Sequence, residues 1–306
     1  MITWQGVEIV IGILSESGFV ILLVCLFSIP DQFFGAESWR QLFDQKVRPP
    51  RLKMLLASWI GSSINTLLPV ATIGGEIVKA RVIVLWNYKA TEAAATITVD
   101  KTIQAIAVLI WGVIGTSFLI PIVGLSPTVV GILIGSFLLT IGILGFVIVQ
   151  LKGGLTKISN IFSLLTGQDQ HEKFVKSNEE FQNIIQSIYN NPNRIIKATF
   201  FRLLQRVVLI GEILLASYIF GLQIGIIEAI ILKGIIGAIR GISFSVPAGL
   251  GVQEGGYIAI GNLIGYPPEL MIAISLATRL REILPNIPFL FLWQSLEGKS
   301  LLRRKN

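Results

Sequence analysis

The sequence predicts an all-α membrane protein, a polytopic helix bundle with inverted-topology repeats, each containing a broken or re-entrant helical hairpin. Three observations lead there. Of 306 residues, 53% are hydrophobic and 14% charged, with a mean hydropathy of +0.74, far from the balance of a soluble domain. Two stretches, LPVATIGGEIVKAR from Leu68 to Arg81 and VPAGLGVQE from Val246 to Glu254, put proline, glycine and charge where a bilayer otherwise demands apolar helix. Their prolines and glutamates share one offset, 247 − 69 = 178 and 254 − 76 = 178, which also carries Lys101 onto Arg279 and Gln104 onto Glu282. Two broken, charged elements at one spacing describe an internal repeat around a polar site. Lys and Arg, finally, gather in a few segments separated by uncharged turns, which sets the topology.

Composition also excludes function classes. One cysteine, Cys25, and one histidine, His171, leave no disulfide framework, zinc cluster or Cys/His catalysis, and no cofactor or metal is expected. The net charge of +7 sits in loops that suit anionic lipid rather than nucleic acid. Residues 1–14 lack the basic start and the small-residue site of a cleavable signal peptide, and their apolar run is too short to span.

About 20 mostly apolar residues are needed to cross. Gly18 to Phe34 is the first such run, with Pro30 and Asp31 near its end; Arg40, Lys46, Arg48, Arg51 and Lys53 then mark a cytoplasmic loop. A helix from Leu55 to Pro69 and a return from Ile73 to Trp86 are flanked by positive residues on both sides, which makes segment 55–86 a hairpin entered from the cytoplasm with its tip at Pro69 to Gly75. Ala93 to Ile120 carries Asp100 and Lys101 two turns in and no charge thereafter, and it leads to an uncharged outer turn at 121–127. Val129 to Leu151 is uniformly apolar, with glycines at 131, 135, 142 and 145 that predict close helix packing. Residues 152–193 are polar, and Ile158, Phe162, Leu165, Phe181, Ile184, Ile185 and Ile188 recur at helical spacing, as in amphipathic helices lying at the cytoplasmic interface. A helix to about Ile224 follows, then a second hairpin (segment 226–263, from Ile226 to Val246 and back from Gly251 to Leu263), and a last helix, Glu269 to Trp293, before a basic tail. One integral membrane domain over 1–306 is therefore expected, with repeat 1 at about 18–120, a connector helix at 129–151, a cytoplasmic amphipathic loop at 152–193 and repeat 2 at about 196–296. This parity starts the chain outside and ends it in the cytoplasm, which predicts a further helix ahead of residue 1.

The candidate site residues are the charges inside apolar surroundings. Glu76 and Lys79 lie i to i+3 at the start of a short leg, and Lys79 with Arg81 could hold an anionic headgroup; the alternative is that they snorkel at the interface. Asp100 and Lys101 match the depth of Arg279, Arg281 and Glu282, and these five either serve the hairpins and Glu254 or glue helices together. Pro69, Gly74, Gly75, Pro247, Gly249 and Gly251 are the expected hinge positions of the broken helices. Arg202, Gln205, Arg206 and Glu212 form a weaker set, and Trp86, Trp111 and Trp293 suit packing or interface anchoring. No phosphate loop, dinucleotide fingerprint, nucleophile elbow or kinase signature is present.

The motifs Pro69-x4-Gly74-Gly75-Glu76-x2-Lys79 and Pro247-x-Gly249-x-Gly251-x2-Glu254 resemble the membrane region of the lysylphosphatidylglycerol synthase family, also called flippase-like membrane proteins, over nearly the whole chain. The ending, VPAGLGVQEGGYIAIGNLIGYPPELMIAISLATRLREIL, looks closest to the hopanoid-biosynthesis-associated subgroup. The resemblance implies a multi-pass protein of the bacterial cytoplasmic (inner) membrane that moves or binds lipid. Full-length aminoacyl-phospholipid synthases carry a soluble transferase domain after this region; the sequence stops nine residues past Glu297 (306 − 297), so aminoacyl transfer is not expected. Members usually begin with one more spanning helix, in keeping with the parity above.

The leading expectation is thus a lipid transporter or flippase for a phospholipid, hopanoid or polyprenyl-linked lipid with a polar or anionic head, and no enzyme. A lipid-binding scaffold presenting substrate to a lipid-biosynthesis enzyme is the alternative. A headgroup enzyme using Glu76, Asp100 and Glu254 as acid/base groups comes last, since no nucleophile or metal ligand accompanies them.

Overall fold

The computed structural model describes residues 12, 15–68, 74–154, 168–242 and 251–305. Among them there is no strand. The chain opens with a 3-10 stretch, Gly18–Phe27, that runs into α1, Ser28–Gln41, as one rod from Ser15 to Gln41. Helices α2 (Arg51–Leu67) and α3 (Gly74–Leu85) form the first hairpin. Two long helices follow, α4 (Ala90–Val123) and α5 (Pro127–Leu151), and then α6 (Gln168–Tyr189) and α7 (Pro192–Ile219). The second hairpin is α8 (Ile226–Ile242) and α9 (Val252–Leu263), and the fold closes with α10 (Pro268–Ile283), a 3-10 turn at Leu284–Asn286, and α11 (Ile287–Lys305).

The molecule is inside-out relative to a water-soluble globule. Phe19 and Phe137 are 89% and 65% exposed, while Asp100 and Arg281 keep 2% and 6% of their surface. A chain that shows aromatic rings and hides charges is built for a solvent of hydrocarbon. Three segments, Ser15–Gln41, Ala90–Val123 and Pro127–Leu151, are long and apolar enough to cross it.

The offset of 178 survives in the helix boundaries. Gly74–Leu85 maps onto 252–263, the bounds of α9; the start of α4 at 90 maps onto 268, the start of α10; and 15–41 maps onto 193–219, within one residue of α7. It survives in the packing too. Met54/Leu232, Ala57/Ile235, Val82/Ile260 and Ala93/Met271 are pairs at that offset, all buried, with the first member in one hydrophobic cluster and the second in another. Contacts exchange in the same way: α1 packs on α7, α2 packs on α11 and the turn before it, and α8 packs on α4. Close approach within hairpins and between units is secured by glycine. A Cβ on Gly75 would stand 2.2 Å from the Gly61 carbonyl oxygen, and one on Gly234 2.3 Å from that of Trp111.

Several boundaries depart from the sequence expectation for identifiable reasons. The first helix does not stop near Phe34 but continues to Gln41, with Pro30 falling where the 3-10 stretch gives way to α-helix inside the rod. Arg40 is therefore helical. The last helix is not continuous from Glu269 to Trp293 but breaks at Pro285. Proline frees the carbonyl four residues back, and the Ser28 hydroxyl donates to that Arg281 carbonyl at 3.0 Å, while Asn286 Nδ2 donates to the Glu282 carbonyl at 2.6 Å. Three glycines of the connector do not mediate close packing, since a Cβ at Gly131, Gly142 or Gly145 would meet nothing within 4 Å. Helix α6 is amphipathic: Ile185 and Ile188 are buried against Leu42, Ala95, Val99, Ile103 and Ala198, while Glu179, Asn183 and Gln186 are exposed. The positions Ile158, Phe162 and Leu165, and the hinge positions Pro69, Pro247 and Gly249, lie outside the described residues.

Candidate functional site

Each hairpin carries one glutamate in the first turn of its second helix, Glu76 in α3 and Glu254 in α9. At the start of α3, the Gly75 N–H donates to Asn65 Oδ1 at 2.8 Å, which satisfies a donor that a helix N-terminus leaves open. One residue later Glu76 takes two cations, Lys79 at 3.1 Å and Lys101 of α4 at 2.6 Å. At the start of α9, Gly251 has φ +76°, a conformation that favours glycine, and its N–H donates to Glu254 Oε2 at 2.8 Å. The other Glu254 oxygen takes Arg279 of α10 at 3.0 Å. Glu76–Lys101 and Glu254–Arg279 are the same ion pair at the offset of 178, and the partners of the cations match as well: Lys101 donates to Gln104 at 3.3 Å, while Arg279 stands 3.8 Å from Glu282.

Between these two pairs runs an unbroken chain of buried and part-buried polar contacts. Gln104 donates to Asp100 at 3.5 Å, and Arg202 of α7 binds Asp100 at 2.5 Å and Gln205 at 2.9 Å. Gln205 donates to Asp31 of α1 at 2.8 Å, and the second Asp31 oxygen takes Arg281 at 3.1 Å. Arg281 is the hub. It also holds Glu212 at 2.8 Å and Glu282 at 3.4 Å. Lys233 of α8 closes on Glu212 at 2.8 Å, and Arg240 forms a fork with Glu282 at 2.6 and 3.2 Å. The network thus ties α1, α3, α4, α7, α8, α9 and α10 together. Charges this deep in an apolar fold persist only when paired, so the network doubles as the polar core of the bundle.

Of the residues singled out from sequence, Glu76, Lys79, Asp100, Lys101, Glu254, Arg279, Arg281 and Glu282 all enter this network. Arg81 does not: its guanidinium makes two hydrogen bonds to Glu297 of α11, at 3.0 and 3.3 Å. Asp31, Arg202, Gln205 and Glu212 hold central rather than marginal places. Lys233 and Arg240 went unread, although each is a lone cation in the apolar run IILKGIIGAIRGI, which is signal enough in a membrane segment. Trp86 and Trp293 pack against the first hydrophobic cluster and Trp111 against the second. Among the described residues no group of three His, Cys, Asp or Glu could hold a metal ion.

Two cavities flank the Arg240–Glu282 fork. One, of about 160 Å³, is lined by Ser28, Asp31, Gln32, Arg281, Glu282 and Asn286 among others. The other, of about 430 Å³, lies between α4, α5, α7 and α8 and is lined by Lys101, Gln104, Arg206 and Arg240 with an apolar remainder. Arg240 borders both.

The family model of the lysylphosphatidylglycerol synthase TM region matches residues 1–288. No curated protein and no solved structure matches the chain.

Proposed function

The chain belongs to the lysylphosphatidylglycerol synthase TM-region family, membrane regions of lipid-related proteins, and from that premise we propose that it is a lipid transporter, carrying a lipid with a polar or anionic head across the bacterial cytoplasmic membrane. The observation that carries this reading is the buried ion-pair network joining Glu76 at one hairpin to Glu254 at the other. A protein that only needed stability would do as well with apolar side chains there. A polar path through the bilayer, ending at two helix starts, suits the passage of a headgroup while the acyl chains stay in lipid.

Geometry supports opposed orientations for the two units. Helices α3 and α9, at 12 residues each, rise about 18 Å and cannot cross a core of about 30 Å. On this reading each hairpin enters and leaves on one face, and crossing by the three candidate spans from Ser15 to Leu151 would bring the start of α7 to the side opposite the start of the first span. The excess of Lys and Arg in the 40–53 loop and the tail assigns these to the cytoplasm. Arg240, bordering both cavities, is positioned as the partition: release of its fork to Glu282 would join them.

The test is a translocation assay in proteoliposomes with fluorescent phospholipids, a polyprenyl phosphate and a hopanoid. Wild-type protein should move at least one of these, and Glu76→Gln/Glu254→Gln, folded and inserted, should slow it about tenfold or more. Wild-type rates in the double variant would overturn the reading. Tight lipid binding without any translocation would replace it with the scaffold function.

A further inference from the structure

The cations of the network outnumber its carboxylates. Counted with Arg206, the residues named above hold eight Lys and Arg side chains against six Asp and Glu, a surplus of 8 − 6 = 2 positive charges. That surplus has a location. Lys101 shares Glu76 with Lys79, and Arg240 shares Glu282 with Arg279 and Arg281. Arg206 has no ion pair among the described residues, and its Nε is buried without a hydrogen-bond acceptor. These three under-neutralised cations line one cavity, that of about 430 Å³, and no carboxylate of the described residues stands in its wall.

An apolar channel adjoins it. A cavity of about 230 Å³ shares Leu139 with the cationic one and runs between Leu109 of α4, Gly131, Ile132 and Gly135 of α5, and Ile235 and Ile239 of α8. Most of the apolar side chains of helix α5, among them Ile134, Phe137, Leu138 and Ile141, are exposed to the hydrocarbon, so this channel borders the lipid phase. A charged chamber and an apolar groove meeting at one leucine have the outline of an amphiphile, head and tail.

We propose that this pair of cavities is a binding site for a lipid phosphate monoester, its terminal phosphate held by Lys101, Arg206 and Arg240 and one apolar chain laid in the groove between α4, α5 and α8. The charge decides the class. A phosphate monoester carries about −1.5 to −2 near neutrality and matches the surplus of two, whereas a zwitterionic head brings no net charge to it. The Arg206 guanidinium, whose Nε has no acceptor among the described residues, supplies the paired donors that phosphate oxygens accept, while Arg240, its fork held by Glu282, and Lys101 add positive charge. The inference rests on the lipid-transport reading and narrows its substrate.

The test uses the full chain in nanodiscs of neutral lipid, with phosphatidic acid bearing a fluorescent chain as the probe. Diacylglycerol with the same chain, phosphatidylcholine and inorganic phosphate are the comparators. Phosphatidic acid should bind about tenfold or more tighter than diacylglycerol or phosphatidylcholine. Arg206→Gln should lose about that factor for phosphatidic acid and leave diacylglycerol unchanged, while Arg206→Lys should retain part of it, which a merely structural role for the side chain would not reproduce. Gly131→Trp fills the groove from a position whose Cβ meets nothing; it should weaken phosphatidic acid and leave inorganic phosphate unaffected. Equal binding of phosphatidic acid by Arg206→Gln, or equal binding of phosphatidic acid and phosphatidylcholine by wild type, overturns the proposal. Displacement by inorganic phosphate at equal concentration, with Gly131→Trp inert, assigns the chamber to free phosphate and overturns the lipid part. Lipid movement that ignores Arg206→Gln sinks this site and leaves transport standing, whereas phosphatidic acid bound through Arg206 without movement does the reverse.

Discussion

Arg281 is the side chain on which the buried network depends, and Arg281→Leu is the perturbation that tests whether the network is a paired whole. The side chain is 7% exposed and binds Asp31, Glu212 and Glu282, of which Glu212 is wholly buried and Asp31 10% exposed. Without it, Glu212 keeps Lys233 and Glu282 keeps Arg240, but Asp31 keeps the neutral amide of Gln205 as its direct partner, with the Arg206 charge only at longer range. One carboxylate is thereby stranded, and breaking a buried pair from one side costs about 3–5 kcal/mol. Solvent screening gives little relief at these exposures. Asp31→Asn in the wild-type background should cost about 1–3 kcal/mol, since it weakens a charged hydrogen bond while Arg281 retains two other carboxylates. In the Arg281→Leu background the same change should stabilise, because it removes the stranded charge. The assay is thermal unfolding of detergent-purified protein, followed by size exclusion, for the four members of the double-mutant cycle. Additive effects of the two substitutions, or an Arg281→Leu cost below about 1 kcal/mol, would refute the reasoning.

Other outcomes follow from single contacts. Gly75→Ala should destabilise by about 1–3 kcal/mol, since its Cβ would enter the Gly61 carbonyl and Asn65, whereas Gly142→Ala, with nothing within 4 Å, should be neutral or stabilise by up to about 1 kcal/mol; thermal midpoints of the two variants decide it. Arg81→Ala should leave lipid translocation at the wild-type rate, and the loss of its pair with Glu297, more than a quarter exposed on both sides, should contribute at most about 1 kcal/mol to any change in stability. The Asp44 carboxyl is held below its ordinary value by the Lys46 backbone N–H and then by Arg194. A lowered carboxylate stabilises above its unfolded value of about 3.9 and loses that contribution as pH falls through the folded value. Asp44→Asn should therefore flatten the acid side of the pH profile of the thermal midpoint and leave the slope above pH 5 unchanged.

Much of the site was legible because the sequence repeats itself. The offset of 178 singles out Glu76 with Glu254 and Lys101 with Arg279, and the fold joins them as two equivalent ion pairs. Local sequence could not separate Arg81 from Lys79. On a helix Lys79 shares a face with Glu76 at i+3, but Arg81, two residues further on, points elsewhere and meets α11. Nor could it place Arg240, whose importance lies in bordering two cavities formed by helices distant in the chain.

The sequence by itself determined the class, an apolar helical chain with charges in its spans, and the two broken hairpins, because hydrocarbon leaves composition almost no freedom. It also points to the helix starts at Gly74 and Val252, where glycine precedes a glutamate; at Val252 that glutamate, Glu254, accepts from the Gly251 N–H, whereas at Gly74 the open Gly75 N–H is met by Asn65 of the preceding helix. Tertiary structure decided what each apolar face covers. Packing against protein and against lipid asks for the same side chains, so the buried face of α6 and the bare glycines of α5 read alike in the sequence and differ in the fold. It decided the ion-pair partners as well, since a buried charge announces that it needs a counter-charge but not which helix brings it.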